Sequence, residues 1–340
     1  MKKIFVIISN ANGGIKTYEN NLINLLSRNN QKVYLIKKKV FRETVIKKNY
    51  LITNYLCNSI WNFAEVLSYL KKIKKTIKQK QVVFIISNPS IFVLYFFLLK
   101  LFFRNEKIIL VNHSHITNIS LFQIIIGFIS SVFSNFIDNV IFVSFFTCNW
   151  WKKYFFFYRF TSNNIIYNFL NMPRKTRKKT IKDNFNIGFV GRLDADKGFD
   201  KFLEIANNLK KTNYNFLIFG NKKYHPDKRN IKFCGWKEAT KIYKKIELLL
   251  VTSPIENCPF SVLEAKSYGI PTLTISDGGI KEIIINYKDG ISLKRKTSMK
   301  NLKKKIQFIK KNYNFFSKNC LKNSNNFDVN IVEKRILDLF

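Results

Sequence analysis

A strand, a turn and a helix follow one another directly in the second half of the chain, and this order predicts a parallel α/β sheet. The apolar run Leu248–Val251 is typical of a short buried strand, and the segment after the turn keeps apolar residues at helical spacing up to Gly269. Glu256 lies in the turn and Glu264 on the helix. Ligands bind at the carboxyl ends of parallel strands, so both carboxylates are placed to accept hydrogen bonds from sugar hydroxyls. Taken alone, two glutamates at this spacing more often form a solvated helix face.

Two other predicted turns carry groups suited to a phosphate. The first predicted strand of the chain precedes Gly13 and Gly14, which let the backbone approach a ligand just before a helix N-terminus. A mere tight turn fits that pattern equally well. Phe185–Val190 is predicted as a strand that precedes Arg192 and Lys197. A guanidinium and an ammonium at the end of a strand can bind a diphosphate between them.

The segment from Glu256 to Glu264 resembles the paired-glutamate motif of the GT-B glycosyltransferases of family 4, which are retaining, nucleotide-sugar-dependent enzymes. The resemblance extends upstream to Gly191–Gly198 and downstream to Asp277–Glu282, in the order of the family. It is strong across these three motifs and reaches the N-terminal half in layout only. It implies an α/β chain of the GT-B class, with two Rossmann-like domains whose parallel sheets face a central cleft.

Length and composition divide the chain in two. Its 340 residues exceed the size at which one hydrophobic core usually stops growing, and a basic, Pro-containing run marks a boundary. We predict an N-terminal acceptor-binding domain over 1–172, a linker over 173–184, a nucleotide-sugar-binding domain over 185–320, and a C-terminal segment over 321–340 that packs back on the first domain. Within the first domain, spaced apolar residues predict one long helix over Tyr55–Ile77.

The resemblance implies roles for the residues of the donor site. Arg192 and Lys197 would hold the diphosphate, Glu264 the ribose and Glu256 the donor sugar. The cleft would be lined by Gly13, Gly14 and the backbone around Phe260 and Ser261.

Two of the three histidines fall in one loop, after the predicted strand Lys107–Val111. A lone histidine is usually a satisfied polar residue, but the family commonly has a histidine in this loop that contacts the transferred sugar. We predict that role for His113 first and His115 second, because the offset along a short loop cannot be read from the sequence. Together with Glu256 they are the predicted catalytic residues.

No metal and no organic cofactor is predicted, the nucleotide sugar being a co-substrate. The Asp-x-Asp motif of metal-dependent glycosyltransferases occurs only as Asp194-Ala195-Asp196, between the two predicted diphosphate ligands, where relatives vary freely. The five cysteines are far apart and lack metal-ligand spacing, so we expect reduced thiols in a cytosolic protein.

The net charge of +38 has two interpretations. Lys, Asn, Ile, Phe and Tyr are abundant, as an AT-rich coding sequence would make them, and an excess of cations also suits a polyanion, either anionic lipid or nucleic acid. The aromatic stretches 91–104 and 150–160 place basic side chains beside bulky apolar ones. This mixture favours an anionic membrane surface as partner, with no nucleic acid expected.

The apolar stretches 91–104 and 119–136 are too short or too polar to span a bilayer, and a buried helix and an interfacial helix fit them equally well. The first apolar run of the chain is too short for a signal peptide and is predicted as a strand. We therefore expect a cytoplasmic protein that lies peripherally on the inner face of the cell membrane.

The predicted activity is a metal-independent hexosyl transfer that retains anomeric configuration. The donor would be a nucleotide sugar, expected to be UDP-linked, and the acceptor a lipid-linked glycan, a lipopolysaccharide or a polysaccharide precursor. Two alternatives stay open: a nucleotide-sugar epimerase of the same fold, and a basic RNA-binding protein.

Overall fold

The computed structural model describes residues 3–9, 13–38, 52–59, 62–76, 81–113, 120–171, 185–209, 213–221 and 230–339. The chain divides into two compact units, one of residues Met1–Tyr167 with Glu333–Phe340 and one of residues Asn168–Val332. This division lies a few residues before position 172, the end that the sequence predicts for the first domain. Asn168 belongs to the second unit because its Nδ2 donates to the carbonyl of Cys258 at 2.6 Å, and Leu170 forms a β-bridge with Asp328.

The first unit contains a seven-stranded parallel sheet in the order β3-β2-β1-β4-β5-β6-β7. Its strands are β1 (Ile4–Ser9), β2 (Lys32–Lys38), β3 (Ile52–Cys57), β4 (Val82–Ile86), β5 (Lys107–Asn112), β6 (Asn139–Phe142) and β7 (Asn163–Ile165). Its helices are α1 (Gly14–Arg28), α2 (Phe63–Thr76), α3 (Pro89–Phe102), α4 (Leu121–Phe133) and α5 (Phe145–Tyr154), followed by a 3-10 helix (Phe156–Arg159). The unbroken apolar sequence of β4 fits its place between β1 and β5, where both faces of the strand are buried.

Polar side chains cap the first turns of two helices of this unit. The Asn88 side chain accepts from the amides of Ser90 and Ile91 at the start of α3. Ser120 and Gln123 form a reciprocal capping box at the start of α4. These contacts satisfy amides that have no partner within the helix, so α3 and α4 each begin at a defined residue.

The predicted helix over Tyr55–Ile77 is wrong in its first part. Residues 52–57 form the edge strand β3, paired in parallel with β2, and the helix begins only at Phe63. Tyr55 stacks on Tyr34 of β2 with ring centroids 5.9 Å apart and on Tyr69 of α2 at 4.9 Å. Packing of this ring between a strand and a helix favours the extended conformation, which overrides the helical spacing of the apolar residues. Ile77 lies outside the described residues.

The second unit contains a six-stranded parallel sheet in the order β10-β9-β8-β11-β12-β13. Its strands are β8 (Phe185–Val190), β9 (Tyr214–Phe219), β10 (Ile231–Phe233), β11 (Leu248–Val251), β12 (Thr272–Thr274) and β13 (Gly290–Ser292). Its helices are α6 (Phe199–Asn208), α7 (Ala239–Tyr243), α8 (Phe260–Ser267), α9 (Ile280–Ile283), α10 (Met299–Lys311) and α11 (Tyr313–Ser324). The bounds predicted for β8 and β11 agree with the structure.

A last helix, α12 (Val329–Leu339), begins in the second unit and ends in the first. In the first unit, Asn29 Nδ2 donates to the carboxylate of Glu333, and Arg335 Nη2 donates to the carbonyl of Ile165 at 3.1 Å. These bonds attach the end of the chain to the sheet and helices of the first unit.

The predicted α/β class with two Rossmann-like domains is confirmed, since each unit is built on a parallel sheet with helical connections. Within the described part of the chain, no helix combines the length and the apolar character that crossing a bilayer requires.

Candidate functional site

The candidate donor site lies in the second unit, at the carboxyl ends of β8 and β11. The sheet runs outward from β8 to β9 and β10 on one side and to β11, β12 and β13 on the other. In an open parallel sheet, the point where the strand order reverses is where ligands bind. The segment Gly191–Gly198 follows β8, and the segment with Glu256 follows β11, so two of the three sequence motifs lie at this edge.

The segment after β8 is held close to the end of β11. Asp194 caps a short 3-10 helix by accepting from the Lys197 amide at 3.1 Å, and Gly198 follows with φ of 65°. Thr252 Oγ1 donates to the Gly198 carbonyl at 2.8 Å. A Cβ atom on Gly198 would lie 2.0 Å from the Thr252 carbonyl oxygen, so only glycine fits both the conformation and the space. This close approach fixes the position of Lys197 beside β11.

We expect Gly198→Ala to destabilise the second unit far more than Gly235→Ala. Both glycines have a left-handed φ, 65° and 67°, for which an alanine costs roughly 1–2 kcal/mol. Gly235 has open space where a Cβ would lie, whereas Gly198 meets backbone, which cannot move aside as a side chain can. Urea-induced unfolding of the two variants measures the difference. Equal losses of stability would show that Gly198 is not packed against Thr252.

Lys197 and Glu256, predicted to contact the diphosphate and the donor sugar, form an ion pair. The Lys197 Nζ lies 2.6 Å from Glu256 Oε1, with the glutamate side chain only 12% exposed. Ser253 Oγ donates to the same carboxylate oxygen at 3.0 Å, and the Glu256 amide donates to the carbonyl of Asp277 at 2.9 Å. The third sequence motif thus holds the backbone of the second, and Lys197 and Ser253 both contact the same oxygen of the Glu256 carboxylate.

Arg192 lies nearby on the same segment, exposed to solvent. Its Nε lies 3.2 Å from Asp194 Oδ2 and its Nη2 lies 3.5 Å from Asp196 Oδ2. The two aspartates of the Asp-x-Asp sequence therefore cap a turn and pair with the arginine. In the described part of the chain, no group of three or more His, Cys, Asp or Glu side chains is arranged to hold a metal ion.

Glu264 lies on α8 and is oriented by a tyrosine from α7. Tyr243 Oη lies 2.9 Å from Glu264 Oε2 and 2.9 Å from the carbonyl of Ser261, and its ring stacks on Tyr268 at 5.5 Å. Burial raises the pKa of the Glu264 carboxyl above its usual value of 4.5, and the hydrogen bond from Tyr243 opposes that rise. Phe260 is buried at the first turn of α8. Sequence reasoning missed Tyr243, because nothing in its local pattern connects it to Glu264.

In the first unit, the structure places Gly13 at the start of α1 with φ of 57° and open space around its Cβ position, and Gly14 as the first helical residue. His113 follows β5 and meets Tyr18 of α1 edge-on, with ring centroids 4.6 Å apart. Burial lowers the pKa of His113 to about 3, so its imidazole is neutral at physiological pH. Gly14 thus begins α1, and His113 packs against the same helix. His115 lies outside the described residues.

All five cysteines are free. Burial raises the pKa of the Cys258 thiol to about 12, so it is held as an unreactive thiol.

Residues 171–327 match the family described as glycosyl transferases group 1. An N,N'-diacetylbacillosaminyl-diphospho-undecaprenol alpha-1,3-N-acetylgalactosaminyltransferase of Campylobacter jejuni is 26% identical over 182 residues, covering 48% of each chain. An uncharacterized 41.2 kDa protein in the cps region of Klebsiella pneumoniae is 26% identical over 144 residues, 38% of this chain and 39% of that protein. A glycogen synthase of Hydrogenovibrio crunogenus is 31% identical over 115 residues, 29% of this chain and 23% of that protein. The chain thus spans less than half the length of these curated relatives.

Solved structures match over nearly the whole chain at low identity. Sucrose-phosphate synthase of Thermosynechococcus elongatus superposes with a TM-score of 0.83 and 14% identity, covering 99% of this chain and 98% of that one. Anabaena Alr3699/HepE in complex with UDP gives 0.78 and 15%, covering 99% of both chains. The lipopolysaccharide outer core galactosyltransferase WaaB gives 0.72 and 16%, covering 99% and 98%.

The predicted GT-B fold is confirmed by these superpositions, whereas membership of family 4 stays a prediction. The family match includes the segments after β8 and β11, which hold Arg192, Lys197, Glu256 and Glu264. Residues 171–327 of this chain are therefore similar to the family of glycosyl transferases group 1.

Proposed function

We propose that this chain transfers a glycosyl group from a nucleotide sugar to a glycan acceptor, with the donor bound by the second unit. The observation that carries the proposal is the contact between Lys197 and Glu256 at the sheet edge where the strand order reverses. A cation for a diphosphate and a carboxylate for a sugar are brought within 2.6 Å there, although they are far apart in sequence. Such a pair at a ligand-binding edge suits a ligand that carries both a diphosphate and a sugar.

The diphosphate is proposed to bind between Lys197 and Arg192. An arriving diphosphate would give the Lys197 ammonium a second anionic partner beside Glu256, and the exposed guanidinium can form paired hydrogen bonds with phosphate oxygens. The leaving group of the reaction is the nucleoside diphosphate, whose charge grows in the transition state. Fixed cations at that position lower the activation barrier, because they stabilise the transition state more than the ground state.

Glu264 is proposed to accept hydrogen bonds from the ribose hydroxyls, with Tyr243 holding the carboxylate in place. We expect UDP as the nucleotide, since the HepE structure of similar fold was solved with UDP. We propose a metal-independent reaction because Asp194 and Asp196 are already paired with Arg192. In this proposal, the neutral His113 donates a hydrogen bond to the transferred sugar and does not act as a charged acid.

Retention of configuration is proposed from the family resemblance. The acceptor hydroxyl would attack from the face on which the phosphate departs, and that phosphate would take the proton of the acceptor. Gly13, Gly14, Phe260 and Ser261 are proposed to line the donor site through their backbone.

A lipid-linked or lipopolysaccharide glycan is the proposed acceptor. The Campylobacter jejuni relative is named for a diphospho-undecaprenol substrate, and WaaB for the lipopolysaccharide outer core. An acceptor of this kind is held in a membrane, so we propose that the protein works peripherally at the inner face of the cell membrane.

A thermal-shift panel of nucleoside diphosphates and nucleotide sugars in EDTA tests the donor site, with Glu264→Gln as the variant. One nucleotide should raise the melting temperature of the wild type, because a ligand that binds only the folded state stabilises it. Glu264→Gln should lose most of that shift. Without ligand it should melt above the wild type at neutral pH, because burial penalises the ionised carboxylate and the amide oxygen can still accept from Tyr243.

The pH dependence of that difference follows from the sign of the pKa shift. The folded-state pKa of Glu264 is raised. The loss of stability caused by burying its ionised carboxylate is therefore absent below the usual carboxyl pKa and grows as pH rises through the raised value. The wild type and Glu264→Gln should therefore have the same melting temperature in acid. No shift with any nucleotide, combined with stabilisation by RNA, would replace this proposal with the RNA-binding one. Conversion of the donor sugar without release of nucleotide would replace it with the epimerase.

A further inference from the structure

Helix α4 turns its apolar side chains outward, the reverse of an ordinary surface helix. Its buried residues are the small or polar Gly127, Ser130 and Ser131. Leu121 is 73% exposed and Phe122 is 66% exposed, and Ile124, Ile125 and Phe128 of the same helix are also exposed. Two of the serines that make the stretch 119–136 polar therefore lie on the docked face of the helix.

Close packing prevents α4 from rotating its apolar face inward. The ring of Phe155 lies so near the Gly127 backbone that a Cβ there would meet it at 2.2 Å. Ser130 Oγ hydrogen-bonds Tyr158 Oη at 2.8 Å in a buried position. Rotation of the helix would break this bond and bring larger side chains against Phe155. The exposure of the apolar face is thus fixed by the core of the first unit.

The apolar surface continues onto the neighbouring elements. Phe97 and Leu101 of α3 are 67% and 74% exposed, and Phe97 contacts Phe133 of α4 with ring centroids 5.0 Å apart. On the other side of α4, Phe128 meets Phe157 at 5.9 Å, beside the exposed Phe156. We call the surface formed by these elements the α4 patch; its main exposed members are Phe97, Leu101, Phe122, Ile125, Phe128 and Phe156. Contiguous exposed apolar surfaces of this kind mark sites of interaction.

Basic side chains lie on the exposed aromatic residues of the patch and next to them in the sequence. The Arg159 guanidinium lies 5.4 Å from the centroid of the Phe156 ring, Lys153 lies over Tyr154 at 5.5 Å, and Lys100 lies between Phe97 and Leu101 in the sequence of α3. The nearest acids in sequence, Glu106 and Asp138, accept from backbone amides at 2.6 Å and 2.9 Å. The sequence has no acid between them and none from Asp138 to Asp183.

We infer that the α4 patch is the surface with which the protein enters an anionic lipid bilayer, the apolar side chains among the acyl chains and Lys153 and Arg159 at the headgroups. Bulky apolar side chains flanked by Lys and Arg are the composition of an interfacial membrane helix. A second copy of the chain fits less well, because a symmetric contact would oppose the same basic side chains. The purpose of the contact, bringing the protein to a lipid-linked acceptor, rests on the proposed function; the binding itself does not.

Co-sedimentation with vesicles tests this inference. The full chain is mixed with vesicles of phosphatidylcholine plus phosphatidylglycerol, or of phosphatidylcholine alone. We expect the wild type to bind the anionic vesicles preferentially, and the variant Phe122→Ser/Ile125→Ser/Phe128→Ser to bind them at least about tenfold more weakly, since each lost apolar side chain removes buried area from the bound state. Lys152→Gln/Lys153→Gln/Arg159→Gln should remove the preference for anionic vesicles.

A matched control is Ile285→Ser/Phe315→Ser, which removes exposed apolar side chains from the second unit and should bind as the wild type does. Because the patch residues are exposed, the triple serine variant should fold and keep its nucleotide-induced thermal shift. Equal vesicle binding by this variant and the wild type would overturn the inference. A wild-type dimer that becomes monomeric in the variant, with vesicle binding unchanged, would assign the patch to self-association. Vesicle binding that persists when no nucleotide binds would leave the inference standing and remove the proposed function.

Discussion

Lys197→Ala is expected to lower the rate at which the donor is cleaved to nucleoside diphosphate by about 100-fold or more. Removal of a preorganised electrostatic contact to a developing anion has an effect of this size. The ammonium is fixed by the Glu256 carboxylate and by the packing of Gly198 on Thr252, so no reorientation is needed when charge develops on the leaving diphosphate. Without the Lys197 side chain, the Glu256 carboxylate still accepts a hydrogen bond from the Ser253 hydroxyl and so keeps its orientation. The expected defect is thus in turnover more than in folding.

Lys201→Ala is the matched control for this experiment. Lys201 lies in the first turn of α6, forms an ion pair with Glu204 at 2.8 Å and is similarly exposed, but it is not part of the segment Gly191–Gly198 after β8. The assay is release of nucleoside diphosphate from the donor that the thermal-shift panel identifies. A loss in Lys197→Ala no greater than that in Lys201→Ala would remove Lys197 from the site. A melting temperature equal to that of the wild type would show that the defect lies in the chemistry.

Two strands of the second unit could be predicted from the sequence because buried parallel strands are rich in apolar residues. The bounds predicted for Phe185–Val190 and Leu248–Val251 agree with the structure. The edge strand β3 was missed because it is buried on one side only. Its apolar residues fit a helical period as well as a strand, and the stacking of Tyr55 that decides between them involves two distant segments.

The candidate site could be predicted to the level of residue types and strand ends, but its contacts could not. The sequence placed Lys197 and Glu256 at the ends of two strands, and their ion pair follows from the order in which β8 and β11 pair. The contact of Tyr243 with Glu264 depends on how a short helix packs against α8, which has no local signal.

The orientation of α4 could not be predicted from the sequence either. An apolar period says which side chains share a face, but whether that face points inward depends on Phe155 and Tyr158, which come from a later segment of the chain. The sequence therefore left the buried and the interfacial helix as equal alternatives.

Asp289→Ala is expected to destabilise the second unit by about 3–5 kcal/mol, the usual loss when a buried ion pair is broken from one side. Lys266 and Asp289 are almost fully buried, with Lys266 Nζ 2.6 Å from Asp289 Oδ2. The carboxylate also accepts from the Ile285 amide and from Asn323 Nδ2, each at 2.9 Å. The substitution therefore leaves a buried ammonium and two polar hydrogens without their acceptor. The Lys266 ammonium lies 5.7 Å from the ring of Phe327, a contact too weak to replace the lost charge.

Two further variants should each lose less stability than Asp289→Ala does. Lys266→Met removes the ammonium but leaves the carboxylate with its two N–H donors, so its loss of stability should be smaller. Glu204→Ala breaks the exposed pair with Lys201 and should cost less than about 1 kcal/mol. Native-state hydrogen exchange of the β11 to β13 amides reports the opening free energy of the second unit separately from the first. If Asp289→Ala cost no more than Glu204→Ala, the carboxylate would not be the acceptor on which these three donors depend, and α8 and α11 would have to be held to the turn before β13 by apolar packing alone.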